Sequence, residues 1–80
     1  MAAMLEAAAL HGYPVVLERS LTGFGAYAPD LPGCVATGAT IAETLERMGH
    51  AIAAHLEGMR QDREPIPEPS AGVAIVGPAA

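Results

Sequence analysis

The three histidines have the most versatile acid–base and metal-binding chemistry in this sequence, so their spacing is the first test for a site. His50 and His55 stand five positions apart, which on an α-helix points them roughly 140° away from each other. Histidine pairs that bind a metal from one helix are spaced about three or four residues apart. His11 lies far upstream in another segment. We therefore expect three surface histidines and predict no metal site.

Cys34 and Asp30 are the other two candidates for chemistry. Cys34 is the only cysteine, so one chain can form neither an internal disulfide nor a cysteine metal cluster. No histidine near it in sequence could activate the thiol, and we expect a buried, inert side chain. Asp30 lies between Pro29 and Pro32, where an aspartate typically accepts backbone hydrogen bonds in a turn. The residues thus predict a non-enzymatic interaction domain without a cofactor.

The composition predicts a thin core. The chain has 80 residues, enough for one domain over residues 1–80, and 17 of its hydrophobic residues are alanines. There is one phenylalanine and no tryptophan, so few large side chains are available for burial. Small domains commonly complete such a core by oligomerisation, and we expect a homo-oligomer. A marginally stable monomer is the alternative.

The negative net charge argues against binding to nucleic acid. Nine acidic residues oppose four scattered arginines and no lysine, which gives a net charge of −5. Phosphate binding depends on clustered cations, so an acidic chain is better matched to a basic protein, or the charge simply maintains solubility. The start of the chain lacks the features of a signal peptide, and no apolar run has the length of a membrane span. We expect a soluble, cytoplasmic protein.

The first half of the chain predicts a short helix followed by three strands. Residues 1–12 are rich in Ala, Leu and Met, which are strong helix formers, and Gly12 provides a stop signal. Residues 13–37 contain three short runs with strand character, separated by a turn at 20–23 and by the PDLPG turn. Short connections between successive strands favour an antiparallel meander.

A long helix is predicted over residues 40–61. Thr40 and Glu43 form a capping box, T-x-x-E, after the strand ends at Gly38. An apolar stripe then recurs at helical spacing. Its members are Ile41, Leu45, Met48, Ile52, Leu56 and Met59. Gly49 lies in mid-helix, and we expect it to be tolerated because a strand or a second helix approaches closely there.

The last segments are a proline strap over residues 64–70 and a short apolar strand over residues 72–76. Pro65, Pro67 and Pro69 each lack a backbone donor and restrict the preceding residue, so the strap must run extended. The predicted fold class is therefore α+β. It consists of a small antiparallel sheet, formed by the three-stranded meander and the C-terminal strand, with one long helix packed on it and a short N-terminal helix in addition.

An ordered set of motifs carries a family resemblance. YPVVLE at 13–18, FGAY at 24–27, PDLPGCVATGAT at 29–40 and PIPEP at 65–69 flank the helix that Glu43 helps to begin. In this combination the sequence resembles the HicB-type antitoxin family. The matching motif and turn residues are Pro29, Asp30, Leu31, Pro32, Gly33, Cys34, Gly38, Thr40 and Glu43.

The resemblance implies a truncated ribonuclease-H-like fold without nuclease activity. It also implies a homodimer or homotetramer that binds a small, basic, RNA-cleaving toxin of the HicA type. Complete members carry a further DNA-binding segment at the carboxy terminus, and this sequence ends about where that segment would begin. The expectation is a stand-alone HicB-like domain that does not bind DNA.

Two alternatives belong to other functional classes. One is a homo-oligomeric structural or regulatory module that has no toxin partner. The other is a surviving nuclease, which would need several converging carboxylates to hold metal ions, whereas the sheet region offers only Glu18 and Asp30. For a protein partner, the charged helix face and the strap are candidate surfaces that the sequence does not rank against the turn. The candidate contact residues are Glu46, Arg47, His50, Glu64 and Glu68.

Overall fold

The fold is a four-stranded antiparallel sheet with one long helix packed on one face. The computed structural model of the chain describes residues 5–69, and it describes side chains from residue 10 onwards. The elements are β1 (Leu5–Leu10), β2 (Tyr13–Arg19), β3 (Phe24–Tyr27), β4 (Val35–Gly38) and α1 (Ile41–Gln61), and the strand order in the sheet follows the chain. The antiparallel meander and the long helix are confirmed. The predicted strand over residues 72–76 lies outside the described residues, and the ribonuclease-H-like comparison stays a prediction.

The predicted N-terminal helix over residues 1–12 is wrong from Leu5 onwards. Leu5–Leu10 is an edge strand that pairs antiparallel with β2, from Leu5 opposite Glu18 to Leu10 opposite Tyr13. Ala and Leu favour a helix by propensity, but a segment this short is not stable as an isolated helix. Pairing with β2 satisfies its backbone groups instead, so the tertiary context decides the conformation.

The turn between β1 and β2 explains how the two strands pair so closely. His11 and Gly12 form a two-residue connection with φ values of 52° and 84°. Two successive left-handed residues are what a type I′ hairpin turn requires, and histidine is one of the residues enriched in this region of φ. Gly12, which the sequence suggested as a helix stop, therefore serves as a hairpin residue.

The inner face of the sheet and the apolar stripe of α1 form the core. Val15, Leu17 and Ala26 are buried from the sheet side, and Met48 and Ile52 are fully buried from the helix side. Strand alternation places Val15 and Leu17 on the same face of β2, and helical periodicity places the stripe on one face of α1. Leu10, Phe24, Ala36, Ile41, Leu45, Ala51 and Met59 pack around this core as partly buried residues. The helix thus covers one face of the sheet.

The start of α1 is fixed by the capping box. Thr40 is the N-cap residue, and its Oγ1 accepts a hydrogen bond of 3.1 Å from the backbone N–H of Glu43. The carboxylate of Glu43 accepts a 2.8 Å hydrogen bond from the backbone N–H of Ala39, one residue before the cap. Thr44 is fully buried and donates its hydroxyl to the Thr40 carbonyl at 2.7 Å. The first of these bonds satisfies one free N–H group of the first turn, and the second ties the preceding loop to it.

Gly38 allows the end of β4 to lie directly against this first turn. A Cβ atom at Gly38 would stand 2.6 Å from Thr44 Oγ1 and 2.8 Å from the Thr44 backbone nitrogen, both closer than van der Waals contact allows. Gly23, opposite, lies against the carbonyl of Gly38 with no room for a side chain. The close approach of backbones at Gly38 therefore requires glycine.

Gly49 shows the opposite situation: within the described residues, no strand or second helix lies where its side chain would stand, although the sequence had suggested one. A Cβ atom built at Gly49 has no atom of another element within 4 Å. The glycine is tolerated in mid-helix although no packing within the described chain demands it, and its helix-propensity cost is about 1 kcal/mol.

We predict that Gly38→Ala and Gly49→Ala change stability in opposite directions. Gly38→Ala should lower the free energy of unfolding by about 1–3 kcal/mol, because the methyl group overlaps Thr44. Gly49→Ala should raise it by about 0.5–1 kcal/mol through helix propensity. Urea denaturation followed by circular dichroism measures both. Equal stability of Gly38→Ala and the wild type would contradict the close packing of β4 on α1.

Candidate partner-binding surface

The PDLPG turn is held by its own backbone. The N–H of Leu31 donates to the Ala28 carbonyl at 3.0 Å, and the N–H of Cys34 donates to the Leu31 carbonyl at 3.0 Å. Gly33 has a φ of 84°, which is the value that the residue after proline needs in a type II turn. The Leu31 side chain is fully buried, so the turn is anchored in the core.

The two reactive candidates in this region have different environments. Asp30 is half-buried in the turn. Cys34 is buried with 4% of its surface exposed, and burial raises the pKa of its thiol because the thiolate would lose its hydration. A thiol that stays protonated is a poor nucleophile. The turn therefore has the properties of an architectural element.

Arg47 connects the helix to the edge of the sheet. Its guanidinium donates a 3.1 Å hydrogen bond to the Thr37 carbonyl and lies 3.6 Å from the Glu43 carboxylate. Both charged side chains are about half exposed, so the ion pair contributes only a few tenths of a kcal/mol. An open cleft of about 430 Å³ lies beside this junction, between residues 20–25 and 37–39.

The end of α1 turns directly into the strap. The N–H of Glu64 donates to the Met59 carbonyl at 2.8 Å, and the N–H of Arg63 donates to the Arg60 carbonyl at 3.1 Å. Arg63 has a φ of 56°, which completes a Schellman motif after the C-cap residue Asp62. Glycine usually occupies this position, so the sequence did not signal the motif.

Tyr13 fastens the strap to the sheet. Its side chain is buried, and its hydroxyl donates a hydrogen bond to the carbonyl of Pro67. Pro69 lies close to Gly12, with its Cγ atom 3.7 Å from where a Cβ atom would stand. The strap therefore crosses the start of β2 beside the β1–β2 turn, and it is tied at both ends.

His11 makes a second long-range fastening from the same turn. Its Nε2 atom lies 3.1 Å from the carbonyl oxygen of Gly49 in the middle of α1, so this ring nitrogen carries the donated proton. From the sequence, His11 was expected only to lie at the surface and Tyr13 only to belong to a strand. No local pattern could have revealed them, because each partner lies at least 38 residues away along the chain.

The remaining candidate contact residues form two groups. Glu46 and His50 are exposed one turn apart on α1, and Glu64 and Glu68 are exposed on the strap. None of these four side chains forms an ion pair with the described residues. Arg47, the fifth candidate, already contacts β4 through Thr37.

Two other kinds of site find no support between residues 5 and 69. No group of three or more His, Cys, Asp or Glu side chains in that range is arranged to hold a metal ion. Likewise, α1 lacks the apolar composition that a helix needs to span a membrane.

We predict that Tyr13→Phe releases the strap. The substitution keeps the ring in the core and removes only the hydrogen bond to Pro67, so the free energy of unfolding should fall by about 1 kcal/mol. Hydrogen exchange at the amides of Glu64, Ile66 and Glu68 should become faster, while exchange in α1 should stay slow. Tyr27→Phe, at an exposed tyrosine, is the matched control. Unchanged exchange in the strap of Tyr13→Phe would show that the hydroxyl does not hold it.

We also predict that the folded protein protects the Cys34 thiol from thiol reagents, and that ionisation of this thiol makes the stability depend on pH. Its thiol should react with Ellman's reagent far more slowly in the native protein than in urea. Because the folded pKa is raised above the unfolded value, the thiol's contribution is fully present below the unfolded pKa and is lost as pH rises through the folded pKa. Stability should therefore fall as the pH rises above about 8.5, the usual pKa of a free thiol, and Cys34→Ala should show a smaller fall. Equal pH slopes for the two proteins would contradict this linkage.

The sequence is similar to known proteins over most of its length. Residues 13–76 match the family model described as a HicB-like antitoxin of bacterial toxin–antitoxin systems. The chain is 38% identical over 56 residues to an uncharacterised 14.9 kDa protein of Haemophilus phage HP1. The aligned region covers 70% of this chain and 42% of the phage protein. It is 32% identical over 60 residues to a UPF0150 protein of Synechocystis. This alignment covers 74% of this chain and 76% of the cyanobacterial protein.

These matches extend over different shares of the relatives. The chain spans less than half the length of the phage protein and about three quarters of the cyanobacterial one. No solved structure matches the chain. The family match covers four fifths of the sequence and includes every motif on which the resemblance was based. The chain belongs to the HicB-like antitoxins of bacterial toxin–antitoxin systems.

Proposed function

We propose that this chain is an antitoxin that binds and neutralises a small, basic, RNA-cleaving toxin of the HicA type. The family match over residues 13–76 is the observation that carries the proposal. In this role the protein is not an enzyme and needs no cofactor. It acts by occupying the surface with which the toxin would bind RNA.

The distribution of charge supports a basic partner for the helix and strap. Six of the nine acidic residues lie in α1 and the segment that follows it to Pro69, together with three of the four arginines. The acidic ones are Glu43, Glu46, Glu57, Asp62, Glu64 and Glu68. Carboxylates attract the same cationic side chains that bind phosphate, so they compete with RNA for them.

Ion pairs within α1 neutralise only some of these carboxylates, so the others are available to a cationic partner. Glu43 is 3.6 Å from Arg47, and Glu57 is 3.2 Å from Arg60, so two of the carboxylates are partly neutralised. Glu64 and Glu68 are exposed on the strap and have no such partner among the described residues. The strap therefore offers two unpaired carboxylates to a basic toxin, Glu46 offers a third on α1, and Arg47 serves to position the helix.

The strap also has the conformation that suits recognition. Prolines at 65, 67 and 69 restrict the backbone to extended conformations. The Schellman motif and the Tyr13 hydrogen bond hold its two ends. A segment that is ordered before binding loses little conformational entropy when it binds.

The proposal includes a homodimer or homotetramer that acts in the cytoplasm, where an RNA-cleaving toxin finds its substrate. The core supports oligomerisation because it relies on few large side chains, among them Leu17, Leu31, Met48 and Ile52. The net charge of −5 supports a protein partner and no direct contact with nucleic acid.

We predict that the double substitution Glu64→Gln and Glu68→Gln weakens toxin binding about fivefold to tenfold. Two exposed charges contribute about 0.5–0.7 kcal/mol each, and their loss should also reduce the dependence of the association rate on salt. The toxin to use is the small basic protein encoded beside this chain, and calorimetry and rescue of growth on co-expression are the measurements.

Glu18→Gln removes a carboxylate from the exposed part of β2 and should leave toxin binding unchanged. Equal losses in the control and in the double variant would argue for a general charge effect without a defined surface. If the wild-type chain forms no complex and gives no rescue, the function is that of a homo-oligomeric module without a toxin partner.

A further inference from the structure

An exposed isoleucine lies in the middle of the strap. Large apolar side chains are exposed at four positions of the described chain, namely Leu21, Tyr27, Val35 and Ile66. Among these, only Ile66 has an acidic residue two positions away on each side, Glu64 before it and Glu68 after it. Both carboxylates are exposed and have no ion-pair partner among the described residues. An apolar side chain is thus flanked by two available negative charges.

The fold fixes the direction in which Ile66 is displayed. The Tyr13 hydroxyl donates to the carbonyl of Pro67, and Pro67 is half-buried, whereas Ile66 before it is exposed. Ile66 has 39% of its surface exposed, so more than half of the residue is already covered by the chain, in contrast to the fully exposed Leu21. A side chain that is partly held in place loses little rotamer freedom when a partner covers the rest of it.

The arrangement has the chemistry of an interface centre with its polar rim. Contacts that dominate binding are typically anchors that fill a pocket, surrounded by polar side chains that exclude water. Here the central side chain is aliphatic and its neighbours are carboxylates, so the complementary surface has an apolar pocket between cationic side chains. An extended chain advances at most about 3.3–3.6 Å per residue, which places Glu64 and Glu68 no more than about 14 Å apart.

We propose that Ile66 is the apolar anchor with which the strap enters a pocket of the basic toxin, while cationic side chains of the toxin meet Glu64 and Glu68 on either side. This inference rests on the proposed antitoxin function and adds to it the residue that gives the contact its specificity. Carboxylates alone attract any cationic protein, whereas an apolar side chain between them requires a pocket of matching shape. The strap thereby distinguishes its toxin from other basic proteins.

Truncation of Ile66 tests the anchor, with calorimetry measuring the affinity for the small basic protein encoded beside this chain. Ile66→Ala removes most of the apolar surface offered to the pocket and should weaken binding about tenfold. Ile66→Val keeps a branched side chain in the same place and should weaken binding only about twofold to threefold. Leu21→Ala makes a similar truncation in the turn between β2 and β3 and should leave the affinity unchanged.

Ile66→Glu separates the anchor from simple charge attraction. The substitution places a third carboxylate between Glu64 and Glu68, so attraction by charge alone predicts tighter binding to a basic toxin. The anchor predicts binding that is weaker by about tenfold or more, because a carboxylate would have to enter an apolar pocket. Hydrogen exchange at the amides of Glu64 and Glu68 should match the wild type in each variant, which establishes that the strap keeps its place.

The proposal is overturned if Ile66→Ala and Ile66→Glu bind the toxin as tightly as the wild type does. A loss of affinity in the double variant of Glu64 and Glu68 without a loss in Ile66→Ala would leave the antitoxin function in place and remove only the anchor. Failure of the proposed function gives a different result, because the wild type itself then forms no complex with the toxin.

Discussion

Burial of one helical stripe against one face of the sheet is the interaction on which the rest of this structure depends. Met48 and Ile52 have no exposed surface, and neither do Val15 opposite them and Leu31 in the turn. Full burial of such side chains contributes about 1.5–3 kcal/mol each, and a domain of this size has few of them to lose. This contact fixes the position of α1, and β4, the strap and the β1–β2 turn are in turn held by contacts with the helix or its ends.

The two ends of α1 are fixed by different means. At the start, glycine at position 38 lets β4 touch the first helical turn, and Thr40 caps that turn. At the far end, Arg63 adopts a left-handed conformation and Tyr13 binds the strap. The helix is therefore held to the rest of the fold at both of its ends.

Local sequence patterns predicted the parts of the fold that are decided locally. The capping box of Thr40 and Glu43 and the apolar stripe predicted the helix, because both are made within a few turns. The prolines and Gly33 predicted the turn for the same reason. Leu5–Leu10 could not be predicted, since its helix-favouring residues form a strand only through pairing with β2. Gly49 was misinterpreted because an unsupported glycine in a helix carries no signal of its own.

The candidate surface was predictable only in part. The exposure of the Glu64 and Glu68 carboxylates could be predicted, because the neighbouring prolines keep that segment extended. Arg47 was grouped with them by helical position, although the structure commits its guanidinium to Thr37. His11 and Tyr13 act across long separations in sequence, and such contacts are settled by the whole fold.

The Tyr13 hydrogen bond to Pro67 joins residues that are 54 positions apart. Contacts of such long range close late in folding, because the intervening chain must first be ordered. A chain that ends before Pro67 therefore keeps every residue of the sheet and of α1, but it leaves the hydroxyl of a buried tyrosine without the acceptor that it has in the full sequence.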